Sequence, residues 1–255
     1  MIKYLLLVVA IVATENIQAK SKKNKTEEAK IDFSFSEDKK NDFKSIQEVT
    51  EKLKKVDGLF PMYQDSLTGK SYIEISEEQL GKEFIYFMYV LDGVVDAGYF
   101  RGAYRDNIVI KFEKSFDKIE IKEQNTKFYF DSNSEIAKAA QANINQPILS
   151  SEKIQAMTRD STDSLGNGTK RYLIEADGIF LSETLSQIKP SKDPKAAPTD
   201  FSMGSLSSKK SKYLNLKNYP ENTDVEVEYV YENSAPVNDG HLAVTSARNI
   251  SVKVR

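Results

Sequence analysis

The sequence predicts a strand-rich α+β fold, mostly antiparallel sheet with a few short helices. Three observations carry that expectation. Apolar and polar residues alternate in short runs between Leu59 and Phe130 and again from Asp224 to Arg255, the period of a strand with one covered face. Phe43, Ile46, Val49, Leu53 and Val56, and an alanine-rich stretch at Ser134–Ala142, instead follow the three-and-four spacing of a helix face. The 255 residues include no cysteine, so an apolar core rather than disulfides has to hold these elements together.

The order of the elements starts with a segment that is not expected to belong to the fold. Lys3 is followed by an unbroken apolar run, Tyr4 to Ala13, and then by polar residues up to the small Ala19, the pattern of a secretory signal over residues 1–19. The run is too short to span a bilayer, which takes roughly 17–25 apolar residues, so no membrane span is expected and the mature chain is expected in a periplasm or outside the cell. Residues 20–40 open with Lys20, Lys22, Lys23 and Lys25 and hold few apolar side chains. They read as a flexible lysine-rich leader that buries too little surface to offset its ordering entropy.

A small module of helix plus strands is expected over residues 41–92. Its helix runs from Phe43 to Val56 and stops at Asp57-Gly58, since glycine tolerates the left-handed geometry of a helix end. Leu59–Gln64 and Ser71–Ile75 form a hairpin joined by Asp65–Lys70, whose Asp and Gly are turn chemistry. Phe84–Leu91 is apolar at every position, which predicts a central strand covered on both faces.

A second, β-rich domain is expected over residues 93–255. Strands are predicted at Asn107–Glu113, Lys118–Glu123, Lys127–Phe130, Ser151–Met157 and Lys170–Ala176, with helices at Ser134–Ala142 and Gly178–Ile188. Residues 189–212 carry Pro190, Pro194 and Pro198 among charged residues and read as a long loop. Asp224–Tyr231 and His241–Arg255 pair as a hairpin. Its second strand is still alternating at Ile250, Val252 and Val254 when the sequence stops, so the domain is expected to continue past Arg255.

Composition excludes several chemistries. With 36 basic against 38 acidic residues and no basic stripe, nucleic acid is not an expected partner. A single histidine, His241, and no cysteine leave little from which to build a zinc, copper or iron site or a nucleophile–base pair. His241 follows a turn glycine and reads as a strand-start residue. Gly69-Lys70-Ser71 imitates the end of a phosphate-binding loop, but Gln64 stands where the first glycine belongs, so a hairpin turn is expected. Gly93, Gly98 and Gly102, with Asp92, Asp96 and Asp106, read as a connection rather than an acidic ligand site. Asp160–Gly168 offers oxygen ligands without the spacing or terminal glutamate of a calcium loop. The many carboxylates single out no catalytic pair. No catalytic, cofactor-binding or metal residue is therefore assigned, and no cofactor.

Three stretches, Gly58-Leu59-Phe60-Pro61-Met62-Tyr63, Lys70-Ser71-Tyr72-Ile73-Glu74-Ile75 and Gln79-Leu80-Gly81-Lys82-Glu83-Phe84-Ile85, resemble the start of a family of large exported bacterial zinc-dependent metalloproteases. Asn218-Tyr219-Pro220-Glu221-Asn222, the tail from Val244 to Val254 and the lysine-rich leader are similar to later and earlier parts of the same region. The resemblance implies a non-catalytic N-terminal region. The family's H-E-x-x-H helix, whose two histidines grip zinc while the glutamate works on the bound water, lies downstream and has no counterpart in this chain. What is implied is a scaffold for a separate catalytic domain, or a surface that holds substrate at a sheet edge, inactive as the chain stands. The other reading is a stand-alone envelope module for a glycan or peptide.

Overall fold

The computed structural model describes residues 43–131, 133–159, 168–189, 203–234 and 248–255. Strands dominate them: β1 Lys54–Val56, β2 Met62–Gln64, β3 Ser71–Ser76, β4 Glu83–Asp92, β5 Tyr104–Ser115, β6 Lys118–Glu123, β7 Ile148–Arg159, β8 Lys170–Glu175, β9 Ser205–Leu206, β10 Lys212–Asn218, β11 Thr223–Glu232 and β12 Asn249–Val254. Hydrogen bonding orders them β1-β2-β3-β8-β7-β6-β5-β4-β12-β11-β10, with β9 added to β11. Every strand pair is antiparallel, and the sheet curls into a half-barrel. The segment from Asp42 to Arg255 is one compact unit.

The α+β expectation is overturned: the fold is mostly β. The described helices are α1 Ile46–Thr50, α2 Glu135–Asn143 and α3 Asp177–Phe180, with two further single turns, too short to form a layer. The helix expected over Phe43–Val56 is only its first turn and a little more. Ser45 caps it, accepting from Glu48 N at 3.2 Å while the Glu48 carboxylate returns to Ser45 N. Beyond Thr50 the chain leaves the helix because Lys54–Val56 finds backbone partners in Gln64–Met62, and tertiary pairing outweighs a weak local propensity. The helix expected over Gly178–Ile188 likewise ends at Phe180.

Other strands fall close to where alternation puts them. Lys127–Phe130 is not one, and Phe128 and Tyr129 stand exposed. Part of the expected 189–212 loop pairs as β9. Pro190, Pro194, Pro198, His241 and the turn before β12 lie outside the described residues, as does Asp160–Asn167.

Alternate residues of the curled sheet point inward. Ile73, Ile75, Phe112, Ile119, Ile121, Tyr172 and Ile174 fill one end, and Met88, Val90, Val227, Tyr229, Tyr231 and Val252 the other. The chain after β8 dives between them. α3 and the irregular residues up to Ile188 plug the curl, with Phe180 touching both clusters. On the outside, α1 covers Tyr63, Ala156 and Leu173 with Ile46. Near-complete burial of a residue such as Ile75 or Ile174 contributes roughly 1.5–3 kcal/mol each.

The first and last strands of the sheet order meet. Asn218, at the end of β10, donates from Nδ2 to Val56 O at 3.1 Å and to Phe60 O at 2.5 Å, and its Oδ1 accepts from the Thr223 hydroxyl at 2.6 Å. Leu59 N adds a bond to Tyr219 O at 2.7 Å. A side chain on Gly58 would place Cβ 2.2 Å from Asn218 Oδ1 and 2.7 Å from Tyr219 N, so glycine is needed here for close approach. Gly58-Leu59-Phe60 and Asn218–Asn222, two of the segments that carry the resemblance, are thus in direct contact.

Candidate functional site

On the other side the curl is joined by a shorter ladder among the described residues. β12 sits between β4 and β11, but its pairing with β4 covers only Asp92 and Val90, followed by a reciprocal pair of bonds between Tyr89 and Arg255, both 3.0 Å. Below that point Glu83–Met88 of β4 and Thr223–Glu226 of β11 have no strand between them among the described residues. A cleft of about 230 Å³ occupies the place. Its walls are Ile85–Tyr89 on one side and Asn222–Val225 on the other, with Val254 and Arg255 closing its upper end and Phe180 at its floor. Through Tyr86, Phe180 and Thr223 it adjoins a larger cavity of about 530 Å³ lined by Phe60, Phe84, Ile110 and Phe112. Phe60, Phe84 and Phe112 pack there as edge-on and tilted rings 4.9–5.8 Å apart.

Strand alternation shapes this seam. Met88 and Val90 turn inward, whereas Ile85 and Phe87 turn outward and are 78% and 53% exposed. The expectation that this strand is covered on both faces is therefore wrong: its outer face is bare, and Phe87 forms an aromatic cluster with Tyr89 and Tyr104 at 5.9 and 5.3 Å. An apolar strand with one uncovered face signals a surface for contact.

The floor is neutral and fixed. Burial, reinforced by Asp106, holds the Tyr86 phenol well above its ordinary pKa, and burial does the same for Tyr229. The Tyr229 hydroxyl donates to Phe180 O at 2.7 Å, the Tyr231 hydroxyl to Glu183 Oε1 at 2.6 Å and the Tyr99 hydroxyl to Ile188 O at 2.9 Å. Burial pushes the Tyr99 phenol up to about 12. Glu183 also accepts Ile188 N and Lys189 N at 3.0 and 2.8 Å. Two tyrosines of β11 and Tyr99, in the connection between β4 and β5, thus pin the plug.

The rim is acidic. Glu83 and Glu221 line the larger cavity and Asp224 the cleft. Asp224 accepts from Asn222 Nδ2 at 3.0 Å, and no cation forms a salt bridge with any of these three carboxylates among the described residues. Glu226, next along β11, is instead paired with the Arg255 guanidinium through Nε at 3.0 Å and through Nη2.

The candidates drawn from sequence lie elsewhere. Gly69-Lys70-Ser71 is a hairpin turn: Gly69 has φ +76° and bonds through N to Asp65 O, and Lys70 pairs with Glu175 at 2.8 Å. Gly98 and Gly102 hold left-handed turns around the buried Tyr99, and Asp92 stands 4.0 Å from both Arg101 and Lys253, so that stretch serves as a connection. Among the described residues no three His, Cys, Asp or Glu side chains gather as a metal site, and no helix is long and apolar enough to cross a membrane. Sequence reasoning missed the bare outer face of β4, although uninterrupted apolarity in Phe84–Leu91 was its signal.

Among protein families, the sequence model of a domain of unknown function, DUF5117, matches residues 102–254. The match takes in the β11 and β12 sides of the seam and begins after β4. No curated protein and no solved structure matches the chain.

Proposed function

The chain belongs to the DUF5117 family, and from that premise we propose that it is the non-catalytic region of an exported zinc metalloprotease-like protein, in which it holds an extended stretch of another polypeptide, either substrate or catalytic domain. The observation that carries this reading is the bare apolar outer face of β4, where Ile85 and Phe87 are exposed and Phe87 clusters with Tyr89 and Tyr104. An uncovered apolar face of this kind marks a surface for contact with another polypeptide. The resemblance of Gly58–Tyr63, Lys70–Ile75, Gln79–Ile85 and Asn218–Asn222 supplies the protease context, and the apolar run Tyr4–Ala13 before Ala19 supplies export. One histidine and no cysteine support a holding rather than a cleaving role.

Fluorescence anisotropy of labelled, permanently unfolded casein, titrated with the full chain, tests it. Saturable binding is expected, together with no loss of intact casein over hours in zinc-containing buffer. Binding no stronger than that of a folded globular control, or chelator-sensitive cleavage by a homogeneous sample, would overturn the reading.

A further inference from the structure

We propose that the hairpin between β5 and β6 is a finger that docks the chain on an anionic phospholipid surface, with the Phe116 ring entering the lipid and Lys114, Lys118 and Lys153 meeting the headgroups. This goes beyond the holding role and does not rest on it. The β5–β6 ladder ends at Ser115 and Lys118, which leaves Phe116 and Asp117 as a two-residue turn. Phe116 holds φ +52° there, the only positive φ outside glycine among the described residues, and it is 92% exposed.

Phenylalanine is a poor choice for this turn as far as the fold is concerned. A left-handed position at the tip of a two-residue hairpin suits Gly, Asn or Asp, because a Cβ crowds the backbone there. A bulky residue is a true outlier at such a position, and this ring regains nothing by burial. An outlier of this kind points to a use outside the fold. The turn is nonetheless held: Asp117 O accepts from Ile154 N at 2.8 Å, and Phe116 O accepts from Lys114 Nζ at 2.5 Å. The ring is therefore presented outward on an anchored backbone.

The charge beside the ring names the occupant. Lys118 stands directly opposite Lys153 across the β6–β7 ladder, a like-charge pair that strand pairing disfavours. Both are exposed, as is Lys114, and none of the three forms a salt bridge among the described residues. Neighbouring acids are engaged: Glu113 and Glu120 hold Lys122 at 2.8 and 3.3 Å, and Glu152 accepts from Ser150 Oγ at 2.8 Å. Across Lys114–Lys118 and Lys153, the Asp117 carboxylate stands against three ammonium groups. One protruding ring and three lysines offer far less than the roughly 1,000 Å² that a specific protein partner takes up. A lipid surface needs no matching pocket: it takes in one ring whole and draws each lysine to its anionic headgroups.

The chain contains no tryptophan, so Phe116→Trp in the full chain installs a single indole that reports its own surroundings. Titrated with phosphatidylcholine vesicles holding about a third phosphatidylglycerol, its emission should shift to the blue as the indole leaves water for the lipid interface. The same signal should show binding at least about tenfold weaker on phosphatidylcholine alone, and a similar loss on the anionic vesicles in high salt. Lys118→Gln together with Lys153→Gln should weaken it about 25-fold, or about fivefold per lysine. If that variant does not fold, as judged by circular dichroism, the salt titration decides the role of charge without it. Phe116→Gly separates docking from structure: glycine suits the turn, so the urea midpoint should rise, and a fall would mean that the ring serves the fold and would overturn the proposal. An indole that stays in water while the chain binds the vesicles also overturns it, since docking then runs through another surface such as the apolar run Tyr4–Ala13. Equal binding to the two kinds of vesicle overturns it as well.

Discussion

The two seams of the curled sheet are built from opposite materials. Where β1 and β10 meet, the join is polar and crowded: one amide side chain, Asn218, reaches two carbonyls and a hydroxyl, and Gly58 leaves no room for a side chain. Where β4 and β11 face each other beyond Arg255, no described residue stands between the strands, the floor is apolar and the rim carries carboxylates. A buried carbonyl without a partner costs about 1–3 kcal/mol, which is the reason the first seam has to be filled by the chain itself. At the second seam β12 joins β4 through a short ladder at Asp92, Val90 and Tyr89, and a half-exposed ion pair, Arg255 with Glu226, stands where the first seam has a crowded amide. Buried polar bonds hold one side of the curl and a short backbone ladder the other.

The sharpest way to break this comparison is at the closed seam. Asn218→Ala strips partners from Val56 O, Phe60 O and the Thr223 hydroxyl together. A loss of about 2–3 kcal/mol is expected in urea unfolding, seen as a lower midpoint at unchanged slope. Gly58→Ala should lose a comparable amount, because its Cβ would fall within 2.7 Å of the Tyr219 backbone nitrogen. Losses below about 0.5 kcal/mol in both variants would show that the curl is held elsewhere.

What was legible in the sequence follows the same division. Alternation in Lys118–Glu123 and Asp224–Tyr231 reads directly as strand, because each inward residue reports one buried face. Phe43–Val56 reads as a single helix because its apolar spacing fits one, yet three of those residues are worth more as a strand beside β2, a contact to which periodicity is blind. Neither seam was legible. Asn218 is one of many polar residues until folding brings it against Val56 and Phe60, 162 and 158 positions away. Apolarity at every position of Phe84–Leu91 has two structural solutions, cover on both faces or one bare face, and a lone strand does not distinguish them.

The plug behind both seams offers a smaller effect of opposite sign. Burial raises the pKa of Asp177 at its start, opposed by the Ser71 N–H bond at 3.0 Å; the nearby Glu175 raises it further and Lys70 lowers it. The buried Tyr213 hydroxyl beside it also lowers it, although it falls short of hydrogen-bond geometry. A carboxyl whose pKa is higher folded than unfolded favours folding below its unfolded pKa, near 3.8, and that contribution disappears as pH rises through the folded value. Asp177→Asn keeps an acceptor for Ser71 N without the charge. It should match the wild type in acid, gain on it as pH rises through the raised carboxyl pKa, and hold a constant advantage above that. Urea midpoints for both proteins from pH 3 to 7 measure the difference; a flat difference would mean that Asp177 titrates as if it were exposed.

The smallest effect is expected at the second seam. Arg255 and Glu226 form its upper lip, but the Arg255 side chain is 32% exposed, and the pair trades a solvated charge for a partly solvated contact. Exposed and half-exposed pairs seldom contribute more than about 1 kcal/mol. Arg255→Ala and Glu226→Ala should each cost about that or less, and a double-mutant cycle should give a coupling below about 1 kcal/mol that fades in high salt. The prediction separates two accounts of the seam. If side-chain pairing held this seam, as Asn218 holds the other, removing Arg255 would cost as much as removing Asn218. A small cost means that backbone pairing holds it, because alanine at 255 keeps the N–H and C=O that exchange bonds with Tyr89.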